Sequence, residues 1–284
     1  MTFPNMRGEG ENTNPFTEAT SSATVAMIDI HTHVLPGFDD GATSLAESIE
    51  MVNLAETDGI GAIFATPHSA FLVGKNYGKA EIEKAVSDLQ RESRRQHSQV
   101  KVLPGIEVHL SPEIVQDIDA GKAFPLNDSH YLLLELPFVS YPLNTEQVIV
   151  TLRQVRGLVP IIAHPERLDY FQQDPDALRK LVELGALIQL TAGSLTGRFG
   201  SRSLQTSQIM LAHGWVHFLA SDAHDNTYRT PNLSAALEAA VEMIGMEAAQ
   251  ALVAGNPQAV LDDREIESEQ PLRYEPKHRR WFFR

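Results

Sequence analysis

Residues Met27–Gly41 read MIDIHTHVLPGFDDG, an apolar run that stops at two histidines and then turns at a DDG tripeptide. Side chains of a strand alternate faces, so residues i and i+2 point the same way. His31 and His33 therefore leave the end of a buried strand side by side, two imidazoles aimed at one point. Imidazole is the commonest protein ligand for borderline metals. Taken alone, an HxH triplet is more often two histidines of a surface loop than a metal site. The ends of the other strands decide between the readings.

Downstream, Ser44 and Glu47 form a capping-box pattern, and Leu45, Ile49 and Val52 follow at helical spacing until Gly59 supplies a stop. From there one unit repeats: an apolar strand, a polar residue at its end, then a helix. Strands are expected near 26–30, 60–65, 101–106, 131–136, 159–163, 186–191 and 216–220. Helices are expected near 44–57, 79–95, 112–120, 145–156, 175–184 and 203–213, and further helical patterns run through 232–244, 247–254 and 257–262. Leu178–Ala186, LRKLVELGA, shows the logic: apolar residues spaced by three and four, then Gly185 ending the helix. Alternating strands and helices imply parallel pairing with right-handed crossovers, an α/β class. Seven such units suggest a barrel, although periodicity leaves closure open. No linker interrupts 25–262, so this span reads as one domain, with a flexible polar extension at 1–24 and a tail at 263–284.

Hydrophobic content of 43% is ample for a core, and Lys+Arg 23 against Asp+Glu 37 gives a formal charge of −14. That balance disfavours nucleic acid as a partner, a nuclease included, because such proteins need a basic surface. The chain has no cysteine, which excludes disulfides and thiolate metal sites and suits a reducing cytoplasm. No apolar run approaches the roughly 20 residues of a membrane span, and the N-terminus lacks a signal-peptide core.

The strand ends carry the chemistry. The first gives His31 and His33, with Asp39 and Asp40 in the following loop; the second gives His68 in ATPH; the third gives Glu107 in LPGIEV. The fourth gives Glu135 in YLLLEL, the fifth His164 in IIAHPER, the sixth Gln189 and Thr191, and the seventh Asp222 and His224 in ASDAH. Reactive groups of parallel α/β barrels sit at the carboxyl ends of strands. Singly, Glu135 reads as a strand-edge charge and His164 as a core histidine bonded to a carbonyl. A carboxylate after four apolar residues is harder to dismiss, because burying it unpaired costs several kcal/mol and a cation removes that penalty. The metal reading is the better one. These candidates exceed one ion's needs and suit a cluster of two or three, and N/O ligation without sulfur is compatible with Mn, Fe, Zn or Ni. Clustered divalent ions activate water and hold phosphoryl oxygens. Arg167 and Arg229 follow the ligands closely, and a forked guanidinium suits phosphate, although each also reads as a loop salt bridge. Together they point to phosphoester hydrolysis.

These segments, in this order, resemble the polymerase and histidinol phosphatase (PHP) superfamily. They are most similar to its bacterial Mn-dependent protein-tyrosine phosphatases of capsule and exopolysaccharide synthesis. MIDIHTHVLPGFDDGA, PLND before the fourth strand, IIAHPER, QLTAGSLTGRFG and HFLASDAH carry the resemblance, over about residues 27–262. It implies a (β/α)7 distorted TIM-like barrel with a trinuclear metal centre. By motif, the implied ligands are His31, His33, Asp40, His68, Glu107, Glu135, His164, Asp222 and His224. Glu107 would bridge two ions, Asp40 rather than Asp39 would be the ligand because it precedes the glycine, and Arg167 and Arg229 would hold substrate phosphate. The resemblance also implies attack by metal-bound hydroxide with no phosphocysteine, in keeping with the absence of cysteine. The implied substrate is phosphotyrosine on a membrane-anchored bacterial tyrosine kinase. Where the family often has asparagine after SDAH or SDMH, this chain has Asp225, a further acid beside the site.

Two rival readings stand beside this one: a small-molecule phosphomonoesterase of the same superfamily, acting for example on histidinol phosphate, and a non-catalytic metal-binding scaffold. The last eight residues, KHRRWFFR, mix Lys277, Arg279, Arg280 and Arg284 with Trp281, Phe282 and Phe283. Such a mix suits peripheral contact with an anionic membrane, or packing of the aromatics on the barrel or on a neighbouring subunit of a homo-oligomer.

Overall fold

Eight short strands, all paired in parallel, form two sheets in the computed structural model, which describes residues 26–69, 74, 77–267 and 270–275. The first sheet orders β1 (Met27–Thr32), β2 (Ile60–Ala65) and β3 (Lys101–Pro104). The second orders β4 (Val108–His109), β5 (Tyr131–Glu135), β6 (Val159–Ala163), β7 (Leu187–Thr191) and β8 (Phe218–Ala220). Isolated bridges link the sheets at both margins, Thr32 with Ala223 and His68 with Glu107. The strand expected at 101–106 is thus broken in two. Gly105 lies at the break, where an added Cβ would stand 2.7 Å from Leu126 Cδ2 and 3.0 Å from Thr66 Cγ2, so the chain passes too close to its neighbours for any side chain.

Two apolar layers flank the strands. The larger includes Leu132, Leu134, Ile162, Ile188 and Leu219 and packs them against helices through residues such as Met51, Leu89 and Leu152. The smaller lies on the strand face away from those helices and holds Phe64, Tyr131, Leu133, Ile161, Ala163, Leu187, Phe218 and Ala220. Alternation carries that second face onward into the polar strand ends. Glu135 continues Tyr131 and Leu133, Gln189 continues Leu187, and Asp222 continues Phe218 and Ala220. His164, which follows inward Ala163, breaks this alternation, and so does the first strand. Ile28 and Ile30 belong to the inner layer, yet His31 and His33 have the other parity, and an irregularity in the β1–β2 register between Asp29 and Thr32 resets the faces.

Helix α1 (Leu45–Thr57) starts at Ser44, whose side chain accepts from Glu47 N at 3.3 Å. The expected capping box is only half made. The Glu47 carboxylate accepts instead from Thr43 N at 2.8 Å and Thr43 Oγ1 at 2.7 Å, one residue further upstream. Helices α2 (Lys79–Arg95), α3 (Ile114–Asp119) and α4 (Thr145–Val155) follow the expected spans. The short α5 (Asp169–Gln173) was not expected, and α6 (Asp176–Glu183) comes next. A second unexpected helix, α7 (Ala192–Leu195), precedes α8 (Gly200–Ala212) and α9 (Ser234–Ile244). The two patterns expected at 247–254 and 257–262 form one run. It comprises α10 (Met246–Gln250), a π turn over Ala251–Gly255, and α11 (Asn256–Leu261). Pro257 has no N–H to give, and the wide turn immediately before it accommodates that loss.

The polar extension 1–24 and the basic-aromatic KHRRWFFR segment lie outside the described residues. Immediately before the latter, Leu272 O accepts from Trp215 Nε1 at 2.8 Å, and Tyr274 N donates to Asp176 at 3.2 Å. Among the described residues no helix is long and apolar enough to cross a membrane.

His217 gives the core a pH dependence. It is buried at the start of β8, where Ile188 N donates to its Nδ1 at 3.1 Å, and burial pushes its pKa from 6.5 down to about 4. A depressed folded pKa favours the neutral ring. Its contribution is complete above about pH 6.5 and is lost as pH falls from there toward 4, by on the order of 3 kcal/mol. His217→Asn, which can still accept from Ile188 N, is expected to remove this component. Urea unfolding of metal-free protein at pH 7.5 and pH 5 measures it, and equal pH slopes for the two proteins would refute the assignment.

Candidate metal centre

The irregular end of β1 is fixed from both sides. His33 N donates to Ala223 O at 2.8 Å and Asp222 N donates to His31 O at 3.0 Å, stitching β1 to the segment after β8. His31 Nδ1 meets Gln189 Oε1 at 3.0 Å, and His33 Nδ1 meets Asp39 Oδ2 at 2.7 Å. Both partners are acceptors, so they place each ring proton on Nδ1 and leave the Nε2 lone pair facing inward. Those two Nε2 atoms stand 3.1 Å apart. Two lone pairs at that distance repel unless a cation lies against both. The spacing is also that of neighbouring ligand atoms around one divalent ion with bonds of about 2.1 Å.

Glu107 lies at the middle. Its Oε2 is 2.9 Å from His68 Nδ1, 3.3 Å from His31 Nε2 and 3.4 Å from His33 Nε2, while Oε1 is 3.0 Å from His164 Nε2. Among the described residues, Glu107 Oε2, His68 Nδ1 and His164 Nδ1 are buried without a well-aligned hydrogen bond, although the first two stand 2.9 Å apart. Orphaned atoms of this kind, on good ligand types, fit divalent cations. Burial alone would raise the Glu107 carboxyl, but His31, His68 and His164 around it hold it well below the usual range. The remaining candidates close the cluster. His164 Nε2 is 3.7 Å from Glu135 Oε1, Asp222 Oδ1 is 3.4 Å from His33 Nε2, and Asp40 Oδ1 is 3.5 Å from His68 Nε2 and 3.4 Å from His224 Nε2. Among the described residues, three groups have the compactness to hold an ion: His33, Asp40, His68 and His224; His31, His33 and Glu107; His68, Glu107 and Glu135. His164 and Asp222 lie outside these three groups but touch their members.

Two turns that carry candidate ligands are strained. His164 and Asp222 adopt φ of 35° and 53°, a left-handed conformation that costs a non-glycine residue about 1–3 kcal/mol. Both strands are thereby turned sharply at their ends. The first turn brings Arg167 and the second Arg229 toward a common point. Asp222 Oδ2 accepts from Arg167 Nη1 at 2.6 Å and from Arg229 Nη2 at 2.5 Å. Burial would raise the Asp222 carboxyl, but His31, His33 and Arg229 hold it well below its ordinary value. A cavity of about 700 Å³ opens over this end of the strands, lined by His68, Glu135, Arg167 and Arg229 together with Pro112, Phe138 and Val139.

Several residues have roles here that the sequence did not reveal. Asp39 is an orienting group, accepting from His33 Nδ1, from His68 N at 2.8 Å and from Gly41 N at 3.0 Å. His109, whose Nδ1 is 3.1 Å from Glu135 Oε2, could have been found as the residue two beyond Glu107. Glu166, fully buried, accepts from Thr191 N at 3.2 Å and Ser194 Oγ at 2.6 Å. Asp225, expected to add charge beside the site, is engaged elsewhere: it accepts from Thr227 N at 2.7 Å and Arg229 N at 3.2 Å, tightening the loop that carries Arg229.

Gly41 is required by proximity. A Cβ there would fall 2.1 Å from His33 O, and Ala42 N already donates to that oxygen at 3.0 Å. Gly41→Ala is expected to push the Asp39–Asp40 loop off the histidines, to destabilise the fold by about 1–3 kcal/mol, and to lower metal content. Thermal denaturation with elemental analysis checks this; wild-type values for both would mean that the loop gives way freely.

The family description "capsular polysaccharide synthesis, CpsB/CapC" matches residues 27–262. The chain is 40% identical over 221 residues to the tyrosine-protein phosphatase YwqE of Bacillus subtilis (strain 168), covering 78% of this chain and 86% of that protein. It is 37% identical over 206 residues to CapC of Staphylococcus aureus, covering 72% and 79% respectively. Among solved structures, it superposes with a TM-score of 0.83 at 37% identity on a chain from the work on YwqE from Bacillus subtilis and CpsB from Streptococcus pneumoniae, described as unique metal-dependent tyrosine phosphatases. That match covers 88% of this chain and 100% of the other.

Proposed function

The chain belongs to the CpsB/CapC family of capsular polysaccharide synthesis, and we propose from that footing that it is a metal-dependent tyrosine-protein phosphatase. One observation carries the reading. Two imidazole lone pairs face each other at 3.1 Å beside an orphaned carboxylate oxygen, next to two arginines that converge on one carboxylate. His31, His33, Asp40, His68, Glu107, Glu135, His164, Asp222 and His224 would hold two or three ions, with manganese the native one. Divalent ions at such a site lower the pKa of water and offset charge on a phosphoryl group.

The residues of the chain do the rest. Arg167 and Arg229 would bind phosphate oxygens, presenting planar N–H donors to charge that grows in the transition state. Asp39 and Gln189 keep His33 and His31 in one tautomer and one orientation. Pro112, Phe138 and Val139 give an aryl ring an apolar wall beside the phosphate end. A phenol, with an ordinary pKa of about 10, leaves more readily than an alkoxide and needs less help from an acid. In this reading β3 and β4 count as one broken strand, giving seven strands and a (β/α)7 barrel. The substrate is phosphotyrosine on a membrane-anchored bacterial tyrosine kinase, and the reaction is cytoplasmic.

Phosphate release from a phosphotyrosine peptide, a phosphoserine peptide and histidinol phosphate, each with manganese and with chelator, tests the reading. Manganese-dependent release that favours the phosphotyrosine peptide is expected. Preference for histidinol phosphate would make the chain a small-molecule phosphatase. A metal-loaded protein inactive on all three would be a scaffold.

A further inference from the structure

We propose that Phe199 is a positioning residue for anion binding: its ring is a shared platform that sets both guanidinium groups, and Gly193 is the hollow that seats the ring. The proposal rests on the phosphatase reading only in taking phosphate as the anion. Arg167 Cζ lies 4.5 Å from the Phe199 ring centroid, and Arg229 Cζ lies 5.9 Å from it. Both fall within the roughly 6 Å over which a ring face attracts a cation.

Two like charges are being held close together here, and the question is what keeps them there. Asp222 takes one donor from each, at 2.6 Å and 2.5 Å, but Asp222 is itself a ligand in the functional reading, so its charge is divided. A second carboxylate would cancel the positive charge that an incoming anion needs. A ring face does not. It attracts the flat guanidinium while leaving the in-plane N–H groups free.

The ring is seated by its own segment. Phe199 belongs to Gln189–Gly200, QLTAGSLTGRFG, a motif for which the ligand set has no use. A methyl group on Gly193 would lie 2.9 Å from Phe199 Cε2 and 3.3 Å from Arg198 Cδ, so any larger residue displaces the ring edge. The same segment is anchored by Glu166, whose Oε1 accepts from Thr191 N at 3.2 Å and Ser194 Oγ at 2.6 Å. Glu166 directly precedes Arg167, so one buried carboxylate ties the platform to the arginine that it supports.

Calorimetric titration of inorganic phosphate into the manganese-loaded full chain tests this, alongside hydrolysis of p-nitrophenyl phosphate. Phe199→Leu keeps much of the volume but loses the ring face, and its phosphate Kd is expected to rise about tenfold, with KM rising in step. Phe199→Tyr should stay within about twofold of wild type, and Gly193→Ala should fall between them, all with wild-type manganese content and thermal midpoint. Wild-type phosphate affinity in Phe199→Leu overturns the proposal, as does an equal loss in Phe199→Tyr. Should Phe199→Leu fold poorly, Gly193→Ala decides, and an unchanged Kd there overturns it. A wild-type protein that binds phosphate but hydrolyses no aryl phosphate would remove the phosphatase reading and leave the platform standing.

Discussion

Replacing Glu107 by glutamine is expected to empty the metal centre and to lower turnover of a phosphotyrosine peptide by about 10³-fold or more. The substitution is nearly isosteric, so packing against Ile106 and Val108 survives. What disappears is the one negative charge that faces four imidazoles, at 2.9 to 3.4 Å. Neutral glutamine offers one acceptor oxygen where the carboxylate offers two, and so it cannot be shared between two ions. Elemental analysis and steady-state kinetics read the two effects separately. Full metal occupancy with near-normal turnover would show that Glu107 is a bystander to the ions.

Arg167→Ala is expected to reduce kcat/KM on the same peptide by about 10²–10³-fold while leaving metal content unchanged. Arg167 shares Asp222 with Arg229 and stacks on Phe199 and Phe138, so it is held in place before substrate arrives. Arg167→Lys restores charge but not the planar fork, and should recover only part of the loss. If Arg167→Ala lost metal instead, its role would be to hold Asp222. If kcat/KM moved by less than threefold, the arginine would not reach the phosphate.

Much of this site could be read in the sequence because strand periodicity and ligand chemistry agree. Glu135, Gln189 and Asp222 continue the inward face of their strands, so an apolar run ending in a polar residue predicted both position and direction. The side-by-side placement of His31 and His33 was legible from their i, i+2 spacing. Their approach to the inner face was not, since it depends on a register irregularity that only pairing with β2 creates. Asp39 could not be told from Asp40 by composition; backbone donors at Gly41 and His68 draw one carboxylate inward and leave the other at the mouth. The break in the third strand falls at Gly105, where an added Cβ would meet Leu126 and Thr66, and Thr66 is distant in sequence. Phe199 was not legible as a functional residue, because a cation–π pair depends on a fold that brings residues 167, 199 and 229 together.

Manganese titration of chelator-stripped full-length protein, followed at each step by elemental stoichiometry and phosphate release from a phosphotyrosine peptide, tests the central claim most directly. The metal-centred account predicts two or three tightly held ions per chain, with activity appearing as they bind. Release that persists in the stripped protein, or activity that is complete with less than one ion per chain, would contradict it.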